Sequence, residues 1–226
     1  LAGGDAPFWN PSMFGGVPLL ANPQVGALYP GHIPFFVYPT GGMFTLTLAF
    51  HVSLASAGMY GLLRRLGCSG AAACFGALAL GWNGWAWAHF AFGSYHQVWA
   101  WWPWLWWFAL AWTERGGKGW RVASVGVAVL MTLQALAGAP QMVFYSALAL
   151  ALLMAAGWFF GPRPRRNSFG PLLAGVGLAA LLATGWSLPQ LLPTRAYFEE
   201  CLRTEALPVE EVRGGALSAA DLTRSF

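Results

Sequence analysis

Residues 42–63 read GMFTLTLAFHVSLASAGMYGLL, and Arg64 and Arg65 follow directly. The stretch carries no Asp, Glu, Lys or Arg. A helix needs about 20 residues, with a range of about 17–25, to cross the hydrocarbon core of a bilayer. Working outward from this run, five more charge-free apolar runs follow at about 70–88, 97–113, 122–138, 141–160 and 170–192. Together they predict an all-α polytopic membrane protein with about six transmembrane helices.

Composition points the same way. The 226 residues are 57% hydrophobic and only 9% charged, against about 25% charged in ordinary soluble domains. Mean hydropathy is +0.52. So few ionic groups cannot coat a water-facing surface around this much apolar mass. A soluble enzyme is therefore not expected, and a disordered or fibrous chain is excluded.

The net charge of +4 does not indicate nucleic acid, because the basic residues are segregated. Arg64, Arg65, Arg115, Lys118, Arg121, Arg163, Arg165 and Arg166 fall in three short gaps between runs, with Glu114 the only acid there. That is the pattern of cytoplasmic loops. Alternation then puts residues 1–41, 89–96, the turn near Pro140 and the tail from Pro193 on the outer side. Cys68, Cys74 and Cys201 have no metal-type spacing, so free or buried thiols and no zinc are expected. No cleavable signal peptide is visible. The chain starts at Leu1 rather than Met and ends in a polar stretch, so a piece of a longer polytopic protein is expected.

Residues 1–41 hold seven Gly and seven Pro, too many for a helix or a central strand. They also hold Phe8, Trp9, Phe14, Tyr29, Phe35, Phe36 and Tyr38, too aromatic for a flexible linker. An ordered, turn-rich extracytoplasmic loop at the membrane interface is expected. Residues 193–226 are polar and mixed in charge, and read as the start of a further extracytoplasmic loop.

The first loop is the densest source of candidate binding groups. Trp9 and Tyr29 offer flat faces for a sugar ring. Asn10, Asn22 and Gln24 offer neutral donors and acceptors for hydroxyls, as small-molecule sites usually do. The alternative is that these residues only form turns. His89 and His96 flank the outer turn 90–95 and suit phosphate or metal contact, or interfacial anchoring. His51 is an ionisable group inside the first run, which marks a functional candidate or a helix-to-helix hydrogen bond. Glu199 lies among Glu200, Arg195 and Arg203. It either pairs with Arg203 one helical turn on or meets a phosphate or metal. Ten of the fourteen tryptophans lie between Trp82 and Trp112, as an interfacial belt, packing, or a sugar or lipid groove.

The string Pro7-Phe8-Trp9-Asn10-Pro11, with Gly16-Val17-Pro18-Leu19-Leu20-Ala21-Asn22-Pro23-Gln24 and Tyr29-Pro30, resembles the first outer loop of the YfhO-type bacterial membrane proteins. Gly138-Ala139-Pro140-Gln141 with Tyr145 resembles a second recurring segment of that family, which brings Gln141 in as a binding candidate. Pro189-Gln190-Leu191-Leu192-Pro193-Thr194 resembles a third. The family is placed with the GT-C glycosyltransferases, which have many transmembrane helices and a large first outer loop.

The resemblance implies a GT-C-like fold in the bacterial cytoplasmic (inner) membrane. It implies transfer of a sugar from a polyprenyl-phosphate carrier to a cell-envelope acceptor on the extracytoplasmic side. Such transfer needs a base for the acceptor proton and a divalent cation or Arg for the leaving phosphate. The GT-C acid follows the first transmembrane helix, so it is expected upstream of this fragment. Asp5 is the nearest candidate within it and reads more readily as a turn residue. The alternatives are a lipid or small-molecule transporter or flippase, and a non-catalytic membrane scaffold.

Overall fold

A computed structural model describes residues 8–12, 15–89, 91–110, 112, 119–160 and 169–200. The chain is mostly helical. A minimal antiparallel ladder opens it, pairing β1 (Trp9–Asn10) with β2 (Val17–Pro18) so that Trp9 faces Pro18. Two 3-10 turns, Pro23–Val25 and Pro30–His32, lead into the short helix α1 (Ile33–Val37).

The long helices follow. Helix α2 (Gly41–Arg65) starts where the Thr40 side chain accepts the Met43 N–H, and α3 (Gly70–Gly81) starts on Ser69 in the same way. Such caps satisfy amides that have no partner inside the helix. Then come α4 (Gly84–Ala88), α5 (Gly93–Trp99), α6 (Trp102–Leu110), α7 (Trp120–Leu136), α8 (Pro140–Phe160) and α9 (Phe169–Glu199).

Two of the charge-free runs are not single helices. The run expected at 70–88 breaks at Trp82–Asn83. There the Asn83 side chain caps a new helix by accepting the Ala86 N–H. The run expected at 97–113 is split between α5 and α6. Pro103 has no N–H to give the Trp99 carbonyl, so the ladder cannot continue through it. Conversely, α9 runs on past Pro189 and Pro193 to Glu199, where an outer loop was expected from residue 193.

Among the described residues, two helices are long and apolar enough to cross a membrane, Gly41–Arg65 and Leu173–Glu199. Only 33% and 22% of their most apolar windows are buried within the structure. Packing fixes the helix directions. Gly76 of α3 meets Leu63 of α2 and Gly81 meets Ser56, an antiparallel pair. Trp104 and Trp107 of α6 lie over Gly58 and Gly61 of α2, a parallel pair; a Cβ on Gly58 would sit 2.6 Å from Trp104 Nε1. Phe108 lies over Gly126, and Trp112 donates to Ser124, so α6 and α7 are antiparallel. Ser124 lies by Gly175, and Thr132 donates to the Ala183 carbonyl, so α7 and α9 are parallel.

Much of the tryptophan cluster ties this bundle together. The indole N–H groups of Trp101, Trp102 and Trp104 donate to Tyr29 Oη, Ser146 Oγ and the Leu54 carbonyl. Arg64, Arg65 and Arg121 mark one end of the bundle. The first loop, the 91–95 turn and the 137–140 turn gather at the other.

Candidate functional site

The first loop is fastened to the bundle at several points. Gln190 Nε2 donates to the Leu20 carbonyl at 2.7 Å, and Thr194 Oγ1 donates to the Ala21 carbonyl at 2.9 Å. The turn between α7 and α8 abuts the loop backbone at Gly138, whose φ is +91°. A Cβ there would lie 2.6 Å from the Pro23 carbonyl oxygen, so only glycine fits both the conformation and the space.

Tyr29 is the deepest anchor. It is 2% exposed. Its O–H donates to His51 Nε2 at 2.7 Å, while the Trp101 indole donates to Tyr29 Oη at 3.0 Å. The donor sense follows from the other face of the imidazole. His51 Nδ1 lies 2.6 Å from the Thr47 carbonyl, which can only accept, so Nδ1 carries the proton and Nε2 the lone pair. Burial pushes the Tyr29 phenol up to about 12, with the Trp101 bond pulling weakly the other way.

His32 has the same pattern. Its Nδ1–H donates to the Gly26 carbonyl at 2.9 Å, and its Nε2 accepts from the Gln97 amide at 2.6 Å. Burial holds this imidazole below its ordinary range, against the opposing pull of the Gly26 and Gln97 bonds.

These fastenings border a half-open cavity of about 780 Å³ at the loop end of the bundle. Its polar wall includes Gln24, His32, Gln97 and Gln141, with Thr47 and Ser94. Its aromatic wall includes Phe35, Phe36, Phe44 and Phe92. A second cavity of about 610 Å³ lies beside it, bounded by Tyr29, Pro30, Gly31 and Pro34 and by Met43, Leu46 and Phe50. The segment 29–36 is the partition, with His32, Phe35 and Phe36 facing the first cavity; Thr47 borders both.

The residues singled out from sequence separate into two groups. Gln24 and Gln141 meet in the first cavity, and Gln141 Nε2 also donates to Tyr145 Oη at 2.6 Å. The others lie elsewhere. Asn10 and Asn22 use their side-chain oxygens locally, on the Ser12 and Gln24 amides, which is the turn-forming alternative. Trp9 is 58% exposed and lies across Gly16, away from both cavities. Tyr29 borders the second cavity but is only 2% exposed, and its hydroxyl is committed to His51 and Trp101.

The two outer histidines differ from each other. His96 is not an outer-surface group: it is buried, and its Nε2–H donates to the Ala86 carbonyl at 2.8 Å. His89 stacks on Trp85 at 4.6 Å. Glu199 is an exposed partner of Arg195 at 3.0 Å. Asp5, Arg203 and Cys201 lie outside the described residues; Cys68 and Cys74 are free.

Sequence reasoning missed His32 and Gln97. The signal for Gln97 was a polar side chain inside a charge-free apolar run, shared by Gln134 and Gln190. His32 stood among aromatic loop residues, with nothing nearby to mark its partner 65 positions away.

Among the described residues, no group of three or more His, Cys, Asp or Glu is placed to hold a metal ion. The donor set at the cavity therefore does not fit a divalent cation. The described wall also has no Lys or Arg. What the cavity offers is neutral amide, hydroxyl and imidazole groups against aromatic rings, which suits an uncharged hydroxylated molecule.

In comparisons with known proteins, no family model matches the chain, and no curated protein or solved structure matches it either.

Proposed function

We propose that the chain is a six-pass membrane protein whose loop end faces outward and takes the sugar head of a lipid-linked donor. The single observation that carries this reading is the neutral, amide-lined cavity at the end of the bundle opposite Arg64, Arg65 and Arg121. A sugar ring presents hydroxyls around its edge and apolar faces above and below, and the wall supplies groups for both.

Three features support the membrane setting. Large apolar side chains stand exposed on several helices, among them Phe50 on α2, Phe75 on α3, Phe144 on α8 and Leu181 on α9. Soluble monomers rarely expose contiguous apolar surface on that scale. Arginine at one end and aromatic loop at the other follow the positive-inside pattern. The helix directions given by α2, α3, α6, α7 and α9 are those of alternating passes, even where a run is broken.

The activity we assign is transfer of a sugar from a polyprenyl-phosphate carrier to a cell-envelope acceptor, outside the bacterial cytoplasmic membrane. In such a step the acceptor oxygen bonds to the anomeric carbon, and the bond from that carbon to phosphate breaks. A base takes the acceptor proton, and polyprenyl phosphate leaves. Gln24 and Gln141 would orient the sugar; the described residues of the cavity wall supply no carboxylate for the base.

The test is transfer of labelled sugar from a polyprenyl-phosphate hexose to envelope acceptors by the full chain in proteoliposomes. Product should form, and a Gln24→Ala, Gln141→Ala double variant should form it at least about tenfold more slowly. Label that crosses the bilayer with no transfer product would overturn the transferase reading. It would favour a lipid flippase, for which the apolar second cavity beside the exposed Leu46 and Phe50 is the supporting observation.

A further inference from the structure

Gln97 belongs to the wall of the larger cavity and is 3% exposed. Which end of its amide is committed follows from a chain of hydrogen bonds. The Gly26 carbonyl can only accept, so His32 Nδ1 carries the ring proton. His32 Nε2 is then a bare lone pair, and Gln97 must turn its NH₂ toward it. The carbonyl oxygen is left over. Gln97 Oε1 is buried and has no hydrogen-bond partner among the described residues. A buried acceptor without a partner carries a desolvation cost that a donor from a ligand would remove.

Resting on the carbohydrate reading of this cavity, we propose that the His32–Gln97 pair is an acceptor site that takes one hydroxyl of an uncharged sugar head. The pair reads a donor and not an anion. The phosphodiester of a lipid-linked sugar, like an ionised carboxylate, brings only acceptors to Gln97 Oε1, and the described wall has no Lys or Arg to neutralise any anion, inorganic phosphate included. The phosphate of a lipid-linked sugar therefore stays out of this part of the cavity, and the hydroxyl edge of the ring enters it. Burial of His32 supports the arrangement, because it keeps the imidazole neutral at pH 7 and so keeps the amide turned this way.

The experiment uses the full chain in lipid nanodiscs. The probes are methyl glycosides, their monodeoxy analogues and inorganic phosphate, read by tryptophan fluorescence and ligand-observed NMR. At least one glycoside should bind, and phosphate should not compete with it. One monodeoxy analogue should bind about fivefold to tenfold more weakly than its parent, as loss of one neutral hydrogen bond requires. Gln97→Met should erase that difference, whereas Gln97→Glu, which keeps an acceptor oxygen, should preserve it. A purely structural role for Gln97 would weaken parent and analogue alike. Should Gln97→Met not fold, Gln97→Asn, which withdraws the amide by one methylene, serves the same comparison. If glycosides bind but each deoxy analogue matches its parent, the acceptor site is overturned and the carbohydrate reading stands. If no glycoside binds, or phosphate binds instead, the carbohydrate reading falls too.

Discussion

Tyr29 Oη lies 2.7 Å from His51 Nε2 and joins the first loop to the interior of α2 across 22 residues of sequence. The bond is the middle of a directed series. The Trp101 indole donates to Tyr29, Tyr29 donates to His51, and His51 donates to the Thr47 carbonyl. Removing Tyr29 Oη leaves a buried donor on one side and a buried acceptor on the other. Tyr29→Phe should therefore lower stability by about 1–3 kcal/mol. The heat-inactivation midpoint of the full chain in detergent checks this, and an unchanged midpoint would refute the series.

The same phenol should titrate late. Its pKa is raised to about 12 from an ordinary 10, so the folded state holds this proton more tightly than the unfolded chain does. The stabilisation is fully present below pH 10 and is lost as pH rises from 10 through about 12. Tyrosinate absorbance near 295 nm should include a late step that vanishes in Tyr29→Phe.

His32 carries the opposite sign. Burial lowers its pKa below 6.5, so the unfolded chain binds a proton more readily than the folded one. This contribution is present above about pH 6.5 and is lost as pH falls from there through the folded value. Protonation would also make Nε2 a donor and turn the Gln97 amide over, giving the cavity a donor in place of its acceptor. Between pH 7.5 and 5, glycoside affinity and thermal stability should both fall in the wild-type chain. Both should fall less in His32→Gln.

Gly138 holds the loop and the α7–α8 turn in contact. Gly138→Ala places a methyl group against the Pro23 carbonyl in a left-handed conformation. It should destabilise the chain by more than about 2 kcal/mol. Limited proteolysis should then cut the 19–27 segment faster. Equal protection in the variant would mean that the close approach is not maintained in solution.

Orientation is open to direct labelling. In intact cells a membrane-impermeant maleimide should reach Ser12→Cys in a chain otherwise free of cysteine. A chain carrying only Cys68, the residue directly after the Arg64–Gly67 corner, should label only after permeabilisation. The reverse pattern would invert the topology.

The helical character was legible because six apolar runs without one charge leave little else for the backbone to do. Their interruptions were harder to see, since the runs stay free of charge through Asn83 and Pro103 while capping and the missing amide stop the helix. The turn role of Asn10 and Asn22 is local, and Asn-Pro signals it. The cavity is not local. Gln24 and Gln141 could be suspected as polar groups near outer turns, but Tyr29 with His51, and His32 with Gln97, are pairs made by the fold. No periodicity within either partner's segment points to the other.

The partition made by residues 29–36 is a single layer of chain with a cavity on each side. Such a wall has no independent faces. An occupant that shifts Phe35 or His32 moves the backbone that carries Pro30 and Pro34. Guests that displaced this wall from opposite sides would be thermodynamically linked, and whatever affinity one gained from the other it would return in equal measure. A hydrocarbon chain lodged against Pro34 and Phe50 would reset how well the neighbouring space accepts a sugar, and each could report on the other's arrival.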